Sequence, residues 1–148
     1  MSRFPSPKIE LKLLKNTYSV GESVEVLLVL KNRSDVPLTV NKRMGFNPGY
    51  MAEGDWEVKF NITFPPGKRL LIDTLINPEN LEKEDFTTLP PARELSKSVI
   101  LTDYYWMKLP GTYSVTATYH NTEDGSKFGF TAWMGDIISN SVTFRVIE

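Results

Sequence analysis

A chain of 148 residues has the length of one domain and enough side chains to bury a core without covalent staples. Its 24% charged and 41% hydrophobic composition is that of an ordinary soluble globular protein, and its formal net charge of −1 gives no electrostatic reason to expect nucleic acid or an anionic membrane as partner. With no cysteine, disulfides, thiolate catalysis and cysteine-ligated zinc are excluded outright, and no apolar run approaches the ~20 residues of a membrane span.

The opening Met1-Ser2-Arg3-Phe4-Pro5-Ser6-Pro7 lacks the apolar stretch of a secretory signal. The expected compartment is the cytoplasm if the chain is native from Met1, and the exterior if a signal has been removed. Ile9, Leu11 and Leu13 then alternate with Glu10 and Lys12, the pattern of a strand with one buried face. A turn at Thr17–Glu22 contains Gly21, which can take a positive φ. Val24, Val26, Leu28 and Leu30 alternate next, but Leu27 and Val29 make the opposite face apolar too. Such a strand belongs in the middle of a sheet or under cover. The cluster Asn32-Arg33-Ser34-Asp35 ends it, and Val36–Val40 reads as a short third strand.

Residues 41–55 have no period and are rich in Gly, Pro and Asn, with Met44, Phe46, Tyr50 and Met51 among them. The clearest alternation follows: Trp56, Val58, Phe60, Ile62 and Phe64 against Glu57, Lys59, Asn61 and Thr63. Pro65-Pro66-Gly67-Lys68 predicts a tight turn, with Leu70–Ile76 as the returning partner. Residues 77–93 are irregular, with one helical turn expected over Leu81–Phe86. Leu95–Leu101 is a strand with Val99 and Leu101 inward, and Asp103-Tyr104-Tyr105-Trp106-Met107 precedes the corner Pro110-Gly111.

The penultimate strand turns Tyr113, Val115, Ala117 and Tyr119 inward. A tyrosine just after the Pro-Gly corner fits a tyrosine corner, its hydroxyl tying the strand back to the preceding connection. Residues 120–136 form a third excursion, with a small hairpin expected around Asp124-Gly125, and Val142, Phe144 and Val146 close the domain. The expectation is a single all-β domain over residues 1–148: an immunoglobulin-like antiparallel β-sandwich of about eight or nine strands with three long loops.

Chemistry is harder to find. Triad-type catalysis would need the sole histidine, His120, beside a serine and a carboxylate, and nothing local supports that, since Tyr119-His120-Asn121 is a strand end running into a loop. Glu79, Glu82, Glu84 and Asp85 cluster, but an intervening lysine and the lack of glycine argue against a calcium loop. Asp103 and Asp136 are only one of many carboxylate pairs that 18 acids offer, so they do not amount to a glycosidase pair. No catalytic, cofactor-binding or metal-ligating residue is assigned, and no cofactor is expected. The loops carry more information: Phe46, Tyr50, Tyr105, Trp106, Phe128 and Trp133 are the residue types that binding surfaces use. They form the candidate binding surface for a protein or carbohydrate partner. The competing reading has the loops folding onto one another to cap one end of the sandwich.

Lys15-Asn16-Thr17-Tyr18-Ser19-Val20-Gly21-Glu22, the strand ending at Asn32-Arg33-Ser34-Asp35, and Pro110-Gly111-Thr112-Tyr113-Ser114-Val115 resemble the openings and closings of prokaryotic immunoglobulin-like domains. Among named families the chain resembles the bacterial intracellular proteinase inhibitors. More weakly, it resembles the β-domain preceding the catalytic unit of deuterolysin-type metallopeptidases, without their catalytic histidine pair. The resemblance covers residues 9–40 and 108–147, which are turns and core strands. It implies a sandwich fold and three functional readings: a non-enzymatic binding or adaptor module, a proteinase inhibitor acting through a protruding loop 41–55, or a structural accessory domain or homo-oligomer. The residues leave the partner and the oligomeric state open.

Overall fold

In the computed structural model, residues 6–44, 57–64, 68–69 and 82–148 are described, the pair 68–69 by its backbone alone. Eleven strands lie among them: β1 (Pro7–Leu13), β2 (Thr17–Ser19), β3 (Glu25–Asn32), β4 (Leu38–Asn41), β5 (Val58–Phe64), β6 (Lys68–Arg69), β7 (Phe86–Leu89), β8 (Glu94–Ile100), β9 (Gly111–Asn121), β10 (Gly135–Ile138) and β11 (Val142–Ile147). One sheet has the order β1-β3-β8. The other runs β2-β11-β9-β5-β6, with β10 also paired to β9, and β4 and β7 form a small separate ribbon. Every pairing is antiparallel except β2 with β11, which is parallel.

Each pleat turns one set of side chains inward. Ile9, Leu11, Val26, Leu28, Leu30 and Val99 from one sheet meet Val58, Phe60, Ile62, Tyr113, Val115, Ala117, Tyr119, Phe144 and Val146 from the other in one buried cluster. Packing two apolar faces against each other is what makes the sandwich. The Tyr113 ring lies parallel to Phe144 at 5.3 Å, and Tyr18 meets Phe144 edge-on at 5.5 Å. The strand apolar on both faces is indeed central: β3 lies between β1 and β8. Its outward Val29 is buried outside the main cluster, covered in a sheet flanked by Glu10 and Ser96.

Polar side chains close the gaps in this framework. The Tyr113 hydroxyl donates to the Leu109 carbonyl at 2.6 Å, so the tyrosine corner exists. Gly21 and Gly111 both hold positive φ, at 90° and 144°, which a β-carbon would strain. Buried Asn32 donates to the carbonyls of Val36 and Leu89 at 2.8 Å and accepts from the Ser34 amide and hydroxyl, locking the turn after β3. β10 and β11 share the same side of β9, separated by a break at Ser139–Ser141. There Ser139 exchanges bonds with Ala117, its amide donating to the Ala117 carbonyl and its hydroxyl accepting from the Ala117 amide, both at 2.8 Å. The Asn140 amide side chain then spans to the other sheet, accepting from Leu11 N at 2.9 Å and donating to Leu11 O at 3.0 Å. A side-chain amide thus pairs with the β1 edge as a strand residue would.

Alternation missed some elements. Phe86–Leu89 lies in a stretch read as irregular, because four residues paired to an equally short β4 show too little period to recognise. The helical turn expected nearby is present as a 3₁₀ turn at Lys83–Asp85. Leu101 is fully buried as expected, but in a 3₁₀ turn (Leu101–Asp103) rather than in a strand. Gly125 begins a 3₁₀ turn (Ser126–Phe128) with φ 81°, in place of a two-residue hairpin. The expected strand Leu70–Ile76 lies outside the described residues.

Candidate functional site

β9 sets the placement of the four candidate residues that the structure describes. Its eleven residues rise ~3.3 Å each, so its ends stand roughly 30 Å apart. The connection 101–110 enters it at Gly111, and the excursion 122–134 leaves it at Asn121. Trp106 and Trp133 therefore belong to opposite ends of the sandwich. The six aromatic residues singled out do not form one cluster: Tyr105 and Trp106 lie at one end, Phe128 and Trp133 at the other, and Phe46 and Tyr50 lie outside the described residues. Chain direction along β9 decides this, and a list of loop residues carries no such information.

At the Asn121 end the excursion folds onto the body. Trp133 is partly buried, stacks on buried Tyr119 at 5.7 Å, and donates its backbone N–H to the Thr39 carbonyl at 2.8 Å. Phe86, Phe128 and Phe130 make an aromatic trio with centroids 5.2 to 5.8 Å apart. This excursion thus packs on the body of the sandwich, whereas the 101–110 connection lies at the other end, so these two loops do not cap one end together.

Beneath it lies a polar network that the sequence reading missed. The Arg43 guanidinium grips the Glu57 carboxylate in two bonds, Nε to Oε1 at 2.6 Å and Nη2 to Oε2 at 2.7 Å, with Glu57 only 2% exposed. Lys97 donates to the carbonyls of Met44 at 3.0 Å and Arg43 at 3.3 Å. It pairs with Leu28, on the core face of its sheet, and burial pulls its ammonium below the usual lysine range. Glu57 opposes that shift and Arg43 adds to it. The Tyr119 hydroxyl donates to the Asn41 carbonyl at 2.7 Å, and Asn41 bonds Asn121 at 3.3 Å. Burial, then the Glu57 charge, hold the Tyr119 phenol far above its ordinary range. The legible signal was Lys97 itself, a charge on the inward register of Leu95-Ser96-Lys97-Ser98-Val99. Arg43 is paired with Glu57 and Lys97 is held by two backbone carbonyls, so the network reads as structural: it anchors Arg43 and Met44, where the chain leaves β4.

The Gly111 end is open. A groove of about 410 Å³ runs between the Gly21–Ser23 turn and the segment Thr102–Lys108. Two of its lining residues, Tyr105 and Met107, are 5% and 4% exposed. Trp106 between them is 54% exposed. The alternation buried, exposed, buried over 105–107 is the pattern that an extended segment would give, with successive side chains on opposite sides. The Tyr113–Leu109 bond pins the segment's far end. Around the rim, Glu22 is engaged by Lys15 and by the Ser19 amide, which together hold its carboxyl below the usual range. Thr102 accepts from the Val24 amide at 3.1 Å. Asp103, Lys108 and Ser23 are exposed.

On β10, Asp136 faces His120 across the sheet and pairs with it. Among the described residues no group of three or more histidines and carboxylates is placed to hold a metal ion. No helix among them is long and apolar enough to cross a membrane.

Scans against protein-family models and against curated proteins both return no match. The resemblance to the intracellular proteinase inhibitors is thus not supported by a family match. Among solved structures, the chain is similar to the CARDB domain of the PF1109 protein from Pyrococcus furiosus, as a crystal structure in complex with di-metal ions. The identity is 14%, the coverage 99% of this chain and 97% of that one, and the TM-score 0.46. The solution structure of the same domain matches at 13% identity, covering 99% and 98%, with a TM-score of 0.44.

Proposed function

We propose that residues 1–148 form one immunoglobulin-like domain acting as a non-enzymatic binding module, with the groove at the Gly111 end as its contact site. One observation carries this reading. A tryptophan is held half out of the surface by buried neighbours on both sides, at the rim of a groove with polar walls. A large amphipathic ring fixed in position before binding loses little conformational freedom when a partner covers it. Of the six aromatic residues, Trp106 is the one we assign to contact. Tyr105 is buried beside it in the chain, while Phe128 and Trp133 lie at the opposite end.

The test is a binding screen of the immobilised chain against purified glycans and peptides, run in parallel with Trp106→Ala. Binding that disappears in the variant supports the module. If every ligand found is indifferent to Trp106, the groove is not the site. The inhibitor reading rests on loop 41–55, most of which lies outside the described residues. Titration against a panel of serine proteases addresses it directly, and cleavage without inhibition removes it.

A further inference from the structure

We infer that the groove beside Trp106 takes the end of a neutral oligosaccharide, with Trp106 as the stacking platform and Asp103 as the principal hydroxyl acceptor. The inference rests on the binding-module reading of the same groove and specifies its ligand.

Three properties of the groove select this class. The first is shape. Tyr105 and Met107, which line it, are nearly fully buried, so neither presents an apolar side chain for a peptide to pack against. What the groove offers instead is one flat exposed indole at its rim. A pyranose ring presents a face of polarised C–H groups, which packs against the negative face of an aromatic ring.

The second property is charge. Glu22 is already compensated by Lys15 and the Ser19 amide. That leaves Asp103 and Lys108, one acid and one base, on the rim. Opposite charges that cancel give no net field to attract an ionic ligand. They do supply an acceptor pair and a donor for ring hydroxyls.

The third is hydrogen-bonding balance. Asp103 is exposed, and no hydrogen bond or ion pair engages its carboxylate among the described residues. A carboxylate accepts from two vicinal hydroxyls at once, and charge-assisted bonds of this kind are the stronger ones. Ser23, on the facing turn, both donates and accepts. At about 410 Å³ the groove falls near the lower end of the roughly 300–1,000 Å³ typical of small-molecule sites, which suits a chain end better than a long polymer.

The experiment follows the indole N–H resonance of Trp106 in the ¹⁵N-labelled chain, assigned by its loss in Trp106→Ala. The probes are the hexasaccharides of β-glucan, mannan, xylan, galactan and chitin, with oligogalacturonate and a tryptic digest of casein as the charged-glycan and peptide probes. The inference expects at least one neutral hexasaccharide to shift the resonance saturably. Trp106→Ala and Asp103→Asn, both at exposed positions, should each weaken that binding by roughly tenfold or more, and Trp106→Tyr should weaken it less than alanine does. Trp133→Phe, at the other end, should leave it unchanged. A response to casein peptides alone would overturn the carbohydrate assignment and keep the groove. A response to oligogalacturonate alone would overturn neutrality. If no probe moves the Trp106 resonance, both the ligand class and the binding-module reading fall.

Discussion

Tyr18, Tyr113 and Tyr119 are all buried at 3% or less, yet their hydroxyls meet three different environments. Replacing each by phenylalanine removes the same single oxygen, so differences in cost report the partner rather than the ring. Tyr119 donates to the carbonyl of Asn41, itself 0% exposed, at 2.7 Å. Deleting that donor leaves a buried acceptor unsatisfied, worth about 2 kcal/mol. Tyr113 donates to Leu109, a residue 38% exposed, whose carbonyl can turn to water, and the cost falls to about 1 kcal/mol. The Tyr18 hydroxyl is buried with no hydrogen-bond partner among the described residues. Removing an unsatisfied hydroxyl from an apolar site relieves a penalty, so Tyr18→Phe is expected to be neutral or stabilising by up to about 1 kcal/mol. Urea unfolding followed by fluorescence, with unchanged slopes, measures all three. In thermal melts the Tyr119 variant should fall by about 4–8 °C. The reasoning is refuted if Tyr18→Phe costs as much as Tyr119→Phe, or if Tyr119→Phe lies within about 0.5 kcal/mol of wild type.

The buried ion pair makes a second test: Arg43→Met strands the Glu57 carboxylate and should cost about 3–5 kcal/mol, whereas Arg43→Met with Glu57→Gln should cost less than the single change. Costs that simply add in denaturant melts would show the pair to be uncoupled. Ser139→Ala deletes the hydroxyl that accepts from Ala117 N at 2.8 Å; a loss of about 1–2 kcal/mol is expected, with faster hydrogen exchange at Ala117, and unchanged exchange would count against the patching role. Alkaline pH supplies the fourth. Because the folded-state phenols of Tyr119 and Tyr113 are raised by burial, their contribution is complete below the free tyrosine value of ~10 and is lost as pH rises beyond it. Lys97, lowered by burial, acts oppositely: its penalty is relieved as pH climbs toward the free lysine value of ~10.4. Tyr119→Phe should flatten the alkaline loss of stability, and a loss of the same steepness in the variant would refute the assignment.

The strands and the corner were legible because they are local. Period-two alternation at 113–119 and 58–62 needs only the pleat to be read. The corner needs only a glycine at Gly111 and a tyrosine two residues on, whose hydroxyl reaches back four residues to Leu109. Lys97 was visible as an anomaly in its strand, but its meaning was not. Its partners Arg43 and Met44 lie more than 50 residues away, and Glu57 about 40.

What the amino-acid order determined alone was therefore which residues face inward, and with that an all-β sandwich with one apolar layer. Tertiary structure decided how the loops are grouped. Trp106 and Trp133 are the same residue type in similar loop contexts, yet β9 carries them to opposite ends, one exposed at a groove and one stacked on Tyr119. Burial of a side chain within a strand follows from its neighbours in sequence. Exposure of one in a loop depends on which distant segment lands on it, and that is settled only when the two sheets pack.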